Sequence, residues 1–421
     1  MMWGKVRAQF SGDRTADERD WRVFDGPIPP PDPPFSLEEY AERLQRMREQ
    51  MAREGIDLLY LMSPAAMNYF HGYKARWYRE ESSTKWPALA GTAIHVNHDR
   101  LIHFDYPREK RLLEGTSVAE DVRFLPYEGI PATGLETIMR ELDAEGWLGG
   151  VVGMEFHCRL PNRALSQIIE SAFVHNGCQK GVDATIPIRS VRRAKSPQEI
   201  AYIEQAAHIC QIAHETVRDV LRSGMTELEV YGEAVRAMSR AGGETSAIES
   251  SVTSGPFATA HAMTSRRVIQ KGELVFFGPS GVYNRYHANV ARGYFVGDPP
   301  SNLVERYRRS AASYRLLIDH AKPGESIARV CRMLKQYYQD SEVWHLHGFV
   351  GGYELGIAFP PDWVGEFYFD VDQETEGVFL ENEVTSYESG VGTALIDTFL
   401  YEATGPRRLS ELPAELIVVD N

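Results

Sequence analysis

Two side chains in this sequence are suited to moving protons. His261 lies in the small-residue stretch Thr259-Ala260-His261-Ala262, and an imidazole on a loop feeding a sheet can act as general acid or base near neutrality. Glu388 lies in Tyr387-Glu388-Ser389-Gly390 at the end of a β-type run, where a carboxylate is either a solvated strand end or a base. His345 and His347 are separated by one residue. On a strand that spacing puts both on one face, but a metal site needs at least one further ligand in fixed geometry, so two partly exposed histidines are the plainer reading. Trp77, Trp86 and Trp363 sit in loop-like segments. Such indoles either pack or line a pocket for a cationic or planar ligand. The glycines of Gly348-Phe349-Val350-Gly351-Gly352 lack Lys, Ser or Thr in a phosphate-binding register, and no G-x-S-x-G elbow of a serine hydrolase occurs.

The elements that must position these residues are legible from caps and periodicity. Residues 1–35 read as an extended arm, because Pro27 and the proline run 29–34 can join neither a helix interior nor a central strand. Ser36 and Glu39 form a capping-box pattern before Tyr40, Leu44, Met47 and Met51, which predicts a helix to about Arg53 stopped at Gly55. Strands are expected at 57–62, 91–96, 100–104 and 150–154, with helices between them, which makes residues 36–188 an α/β domain. Ser196-Pro197-Gln198-Glu199 opens a second clear helix after a connector, and Thr226-Glu227-Leu228-Glu229 opens another. Beyond Val252 the pattern turns to strands, interrupted by amphipathic helices at 303–321 and 327–338, so residues 189–421 form an α+β domain.

Composition narrows the function. The 421 residues carry 45 Lys+Arg against 59 Asp+Glu, a net charge of −14. That balance argues against sequence-independent nucleic-acid binding and against an anionic membrane surface. No run of apolar residues is long enough to span a bilayer, and residues 1–20 are charged throughout, unlike a secretory leader. Four scattered cysteines without a C-x-x-C pair suit reduced, buried thiols, and the expectation is a cytoplasmic protein acting on a small molecule.

Several segments, taken in order, resemble the creatinase/aminopeptidase P-like, or pita-bread, family. They are Arg193-Ala194-Lys195-Ser196-Pro197-Gln198-Glu199-Ile200, the helix start at Gly224 to Glu229, the stretch from Ser254 through His261, Lys271 to Val275, and the hairpin Gly281 to His287 with Arg292 to Gly297. The resemblance runs from Ser36 to Arg408. It implies an α/β creatinase-like N-terminal domain, an α+β pita-bread catalytic domain, and a homodimer. Peptidase members of the family hold two divalent metals with two Asp, one His and two Glu. Carried onto this sequence, those positions fall on Gly278, Asn289, Tyr353, Glu388 and Ile396, with His347 as the other register for the His. A metal pair brings about four positive charges together, which one carboxylate does not balance. No metal and no cofactor are therefore expected.

The loss of ligands resembles the metal-ligand-deficient branch that includes creatinase and ectoine hydrolase. The stretch Gly356 to Trp363 and the hairpin around Tyr286 and His287 are similar to ectoine hydrolase. Two departures stand out: its nucleophilic carboxylate would fall on Gly278, and the second creatinase Glu on Ala291. The leading expectation is a metal-independent hydrolase of a C–N bond in a small polar or zwitterionic metabolite. In it His261 is the acid/base, Glu388 orients water or a cationic group, and Tyr353 donates to developing charge. Trp363, Tyr286 and His287 line the pocket, Arg292 meets a substrate carboxylate or else forms a salt bridge inside the sheet, and Lys85 reaches a partner subunit's site. A lyase of a zwitterion such as dimethylsulfoniopropionate and a non-catalytic relative of Xaa-Pro peptidases are the alternatives.

Overall fold

The structure, a computed structural model, describes residues 32–75, 89–126, 131–393 and 395–420. Most of the proline-rich arm, and Trp77, Lys85 and Trp86, lie outside the described residues. The chain divides into two compact units, Met1–Val191 and Arg192–Asn421.

The first unit is built on a six-stranded sheet. Helix α1 (Leu37–Glu54) starts at Ser36, whose hydroxyl accepts from the Glu39 N–H, and ends at Gly55 with φ 67°. The capping box is only half formed. The Glu39 carboxylate instead accepts from Arg43 Nε at 2.9 Å, because a guanidinium buried beside it outcompetes the exposed backbone N–H. The strands are β1 (Leu58–Leu61), β2 (Gly91–His95), β3 (Leu101–Asp105), β4 (Asp121–Phe124), β5 (Val151–Met154) and β6 (Lys180–Asp183). They lie in the order β4-β3-β2-β1-β5-β6. Helices α2 (Pro64–His71), α3 (Lys110–Thr116), α4 (Pro131–Ala144), α5 (Arg163–His175) and α6 (Thr185–Ser190) complete the α/β layering. Strands β4 and β6 escaped the sequence reading, since as edge strands they lack the fully buried apolar run of β1.

The second unit pairs two helix-backed sheets. Helices α7 (Pro197–Val220) and α8 (Glu227–Arg240) each open on a complete capping box, at Ser196 and at Thr226. They pack through Ile209, Ala213, Val217, Val230 and Ala234 onto Val252, Val275, Phe277 and Tyr294. Those residues belong to a sheet of order β17-β11-β8-β7. Its strands are β7 (Ser251–Ser254), β8 (Leu274–Gly278), β11 (Arg292–Val296) and β17 (Ile417–Val419). Between β8 and β11 runs the hairpin β9 (Ser280–Tyr283) and β10 (Tyr286–Asn289), turned at Asn284 and Arg285, both with positive φ. Helices α9 (Ser301–His320) and α10 (Ile327–Asp340) back the other sheet, of order β13-β12-β14-β15-β16. There β12 spans His347–Tyr353, β13 Tyr368–Asp370, β14 Val384–Val391, β15 Ile396–Glu402 and β16 Gly405–Arg408.

The period of two decides what each sheet offers. Val350, Phe369, Tyr387 and Phe399 face the helices and form the core with Leu317, Val330 and Leu334. Their neighbours Tyr353, Tyr368, Glu388 and Ile396 therefore point to the opposite face. The two sheets meet there: Ala291, just before β11, and Ile396 of β15 exchange N–H···O bonds of 2.9 and 3.1 Å. Among the described residues no helix is long and apolar enough to cross a membrane.

Candidate active site

Glu388 stands in the middle of β14, opposite Gly351 of β12 on one side and Ile396 of β15 on the other. It is only partly exposed. Tyr353, at the end of β12, sets its phenol beside the Glu388 carboxylate, and the Asn289 amide donates to the phenol oxygen at 3.2 Å. Asn289 is itself held by Thr398, which accepts from its N–H at 2.9 Å and donates to its carbonyl at 2.8 Å. A chain of polar groups, Thr398–Asn289–Tyr353–Glu388, thus crosses from one sheet to the other.

Burial pushes the Glu388 carboxyl above its usual range, and the neighbouring Tyr353 phenol offsets part of that rise. The Tyr353 phenol is held well above its ordinary value, first by burial and then by the neighbouring carboxylate. At neutral pH the tyrosine is thus a hydrogen-bond donor, and the glutamate is a stronger base than a free carboxylate.

The positions that the resemblance assigns to metal ligands do converge here, but their chemistry has changed. Gly278 offers no side chain, and any Cβ there would meet the Phe276 ring at 2.9 Å. Phe276, Ala291 and Ile396 form a buried apolar cluster with Ala258 packed against it. One carboxylate, one amide, one phenol and an apolar plug do not fit a pair of divalent ions, which take several anionic oxygens. His347 sits at the far end of β12, stacked on Trp344 at 3.7 Å and hydrogen-bonded to Asp372 at 3.1 Å. The register is therefore the one that puts Tyr353, not His347, beside Glu388.

The other candidate residues divide. Trp363, partly exposed on the loop after β12, has its ring 6.4 Å from that of Tyr353 and 6.3 Å from that of His287. His287 shares the Asn289 face of β10, and its Nε2 accepts from the Ala247 N–H at 3.0 Å. Its pKa is pushed down to about 3 by burial and by Arg285, so it is a neutral wall residue. His261 is exposed on the loop that follows β7, and its N–H contacts Thr259 Oγ1 at 3.5 Å. No hydrogen bond or ring contact among the described residues links its imidazole to Glu388 or Tyr353. Ala258, three residues earlier, anchors that loop on the apolar cluster.

Two expectations need correction. Tyr286 faces away from Asn289 along β10, and its hydroxyl donates to Glu199 of α7 at 2.9 Å; the strand alternation places it in the helix interface rather than the pocket. Arg292 is fully buried. It pairs with Asp397 at 2.9 Å and donates to the carbonyls of Pro413, Ala291 and Ile396 at 2.8, 2.8 and 2.9 Å. Its donors are committed to the sheet junction, so of the two readings the internal salt bridge is the one realised. From sequence Asn289 enters only as a lost ligand position, with no role of its own, and the Phe276 plug is not singled out. Asn289 carries no signal by type, and Phe276 reads as one more apolar strand residue.

Two family models match the chain: the creatinase/prolidase N-terminal domain over residues 43–194 and metallopeptidase family M24 over residues 201–402. Ectoine hydrolase from Halomonas elongata is 26% identical over 404 residues, covering 91% of this chain and 98% of that protein. The Xaa-Pro dipeptidase from Pyrococcus furiosus is 25% identical over 390 residues, covering 89% of this chain and 99% of that protein. Among solved structures, a dipeptidase from Pyrococcus horikoshii OT3 superposes with a TM-score of 0.75 at 18% identity, over 90% of this chain and all of that one. With this domain pair and this fold, the chain belongs to the creatinase/aminopeptidase P-like family, with an α/β creatinase N-terminal domain followed by an α+β pita-bread catalytic domain.

Proposed function

We propose that this protein is a metal-independent hydrolase of a C–N bond in a small polar or zwitterionic metabolite. The observation that carries the reading is the grouping of Asn289, Tyr353 and Glu388, with Asn289 donating to the Tyr353 phenol beside the carboxylate, on a face whose remaining ligand positions are apolar or empty of donors. The similarity to ectoine hydrolase over nearly the whole of both chains supports it. The similarity to an Xaa-Pro dipeptidase favours peptide cleavage, but the donor set at Glu388 weighs against a metal-dependent route.

In this reading Glu388 takes a proton from water as its oxygen attacks the substrate carbon. A carboxyl raised by burial is better matched to that task than a solvated one. Once Glu388 carries the proton its hold on the Tyr353 phenol weakens, and the O–H turns to the oxygen or nitrogen gaining negative charge. His261, on the adjacent loop, protonates the leaving nitrogen. Trp363 and His287 form an uncharged wall that limits water at the reacting carbon.

The test is a substrate panel of ectoine, creatine and an Xaa-Pro dipeptide, followed by NMR before and after EDTA treatment. Turnover of a non-peptide C–N substrate, unchanged by EDTA and lost in Glu388→Gln, is expected. Cleavage of the dipeptide alone, abolished by EDTA, overturns the reading.

A further inference from the structure

Outside the polar chain at Glu388, a second buried and fully paired charge lies near the site: Lys195, in the segment that precedes α7. It is buried, with a relative side-chain exposure of 1%. An ammonium has three donors, and all three are used: Nζ donates to Arg192 O at 2.7 Å, to Arg193 O at 3.0 Å and to Glu354 Oε1 at 2.6 Å. Glu354 directly follows Tyr353 and occupies both ends of the loop that carries Trp363. Its N–H donates to Phe367 O at 2.7 Å, its carbonyl accepts from the Gly365 N–H at 2.9 Å, and its Oε2 accepts from the Phe367 N–H at 3.4 Å.

The fit around the pair is tight. A Cβ at Gly365 would lie 2.5 Å from Glu354 Oε2, and one at Gly356 would lie 3.0 Å from Lys195 Cε. The loop is also tied to the hairpin that bears His287: the His287 N–H donates to Gly356 O and the Ala358 N–H to Arg285 O, both at 3.0 Å. A second arm of the same segment reaches the residue just before β14, since Arg193 pairs with Glu383 and lies 3.9 Å over the Phe367 ring. The two strands carrying Tyr353 and Glu388 are thus gripped by neighbouring residues of one connector.

We propose that Lys195 and Glu354 are positioning residues for the site: their buried pair closes the Trp363 loop and fixes the strand end that presents Tyr353 to Glu388. A buried pair broken on one side leaves an uncompensated charge, whereas removing both charges does not. Lys195→Met therefore leaves the Glu354 carboxylate stranded under the loop, and the loop must shift to hydrate it. The Lys195→Met/Glu354→Gln double variant has no stranded charge and keeps the loop in place.

The experiment is 19F NMR of protein labelled with fluorotryptophan, with the Trp363 resonance assigned by its loss in Trp363→Phe. In Lys195→Met, shown to be folded by circular dichroism, the Trp363 resonance moves by more than its linewidth. In the double variant it returns to the wild-type position. A Trp363 resonance that stays put in folded Lys195→Met, or that is displaced equally in the double variant, overturns the proposal. If Lys195→Met does not fold, Lys195→Arg carries the test. It keeps the charge but presents a planar fork to three acceptors arranged for an ammonium, so the resonance is again expected to move, and an unmoved one overturns the proposal. The readout needs no substrate, so failure of the hydrolase reading and failure of this inference are distinguishable.

Discussion

The phenol of Tyr353 and the carboxylate of Glu388 lie side by side on two neighbouring strands and perturb each other's ionisation. The phenol favours the ionised carboxylate, which burial otherwise disfavours. Removing the phenol hydroxyl must therefore raise the Glu388 pKa further. With Glu388 as base, activity is lost as pH falls through that pKa. In Tyr353→Phe the acid limb of kcat/KM moves to higher pH, and kcat falls by roughly 10–100-fold through loss of the donor. A pH profile identical to wild type refutes the coupling.

Gly278 tests the electrostatic argument against a metal pair. Gly278→Asp places a carboxylate against the Phe276 ring in an apolar cluster. The substitution is expected to lower stability by about 1–3 kcal/mol, through overpacking and burial of an unpaired charge. It is not expected to create Mn2+ binding. Urea denaturation and isothermal titration with Mn2+ check both halves, and tight Mn2+ binding by the variant contradicts the account.

Arg292 separates a structural ion pair from a substrate clamp. Arg292→Met leaves Asp397 buried without its closest cation, and the expected loss of stability is about 3–5 kcal/mol. Arg292→Met/Asp397→Asn recovers part of it. Had Arg292 bound substrate, the single variant would instead keep its melting temperature and raise KM.

His287 and His214 are both buried, with pKa values pushed down to about 3. In each case desolvation is the larger cause, followed by repulsion from a neighbouring arginine. Each stays neutral in the fold but takes up a proton on unfolding once pH drops below the ordinary histidine value. Stability is therefore full above about pH 6.5 and is lost as pH falls toward 3, by up to about 1.4 kcal/mol per pH unit for each ring. His287→Gln should remove one proton from that slope, as read from urea midpoints at pH 7, 6 and 5.

His261 is exposed, so His261→Ala should leave the melting temperature unchanged. If it delivers the proton to the leaving nitrogen, kcat drops by about 10²–10⁴-fold. Unaltered turnover removes it from the mechanism.

By itself the sequence determined what depends on local chemistry. The Ser36, Ser196 and Thr226 caps and the helix stop at Gly55 are set by residues a few positions apart. The loss of charge at the ligand positions was also legible, because Gly278, Asn289 and Ile396 cannot be anionic wherever they lie. Tertiary structure alone decided which of two equivalent readings each polar residue takes. Arg292 could have met a substrate, and it found Asp397, 105 positions away in the numbering, at 2.9 Å. Tyr286 could have lined a pocket, and the strand turned it toward Glu199. Glu354 carries no mark of its role in the sequence, and the fold buries it against Lys195, 159 positions away in the numbering, at 2.6 Å. A polar side chain's role is fixed by whichever partner and solvent share its surroundings, and those come from strands brought together over long distances in the chain.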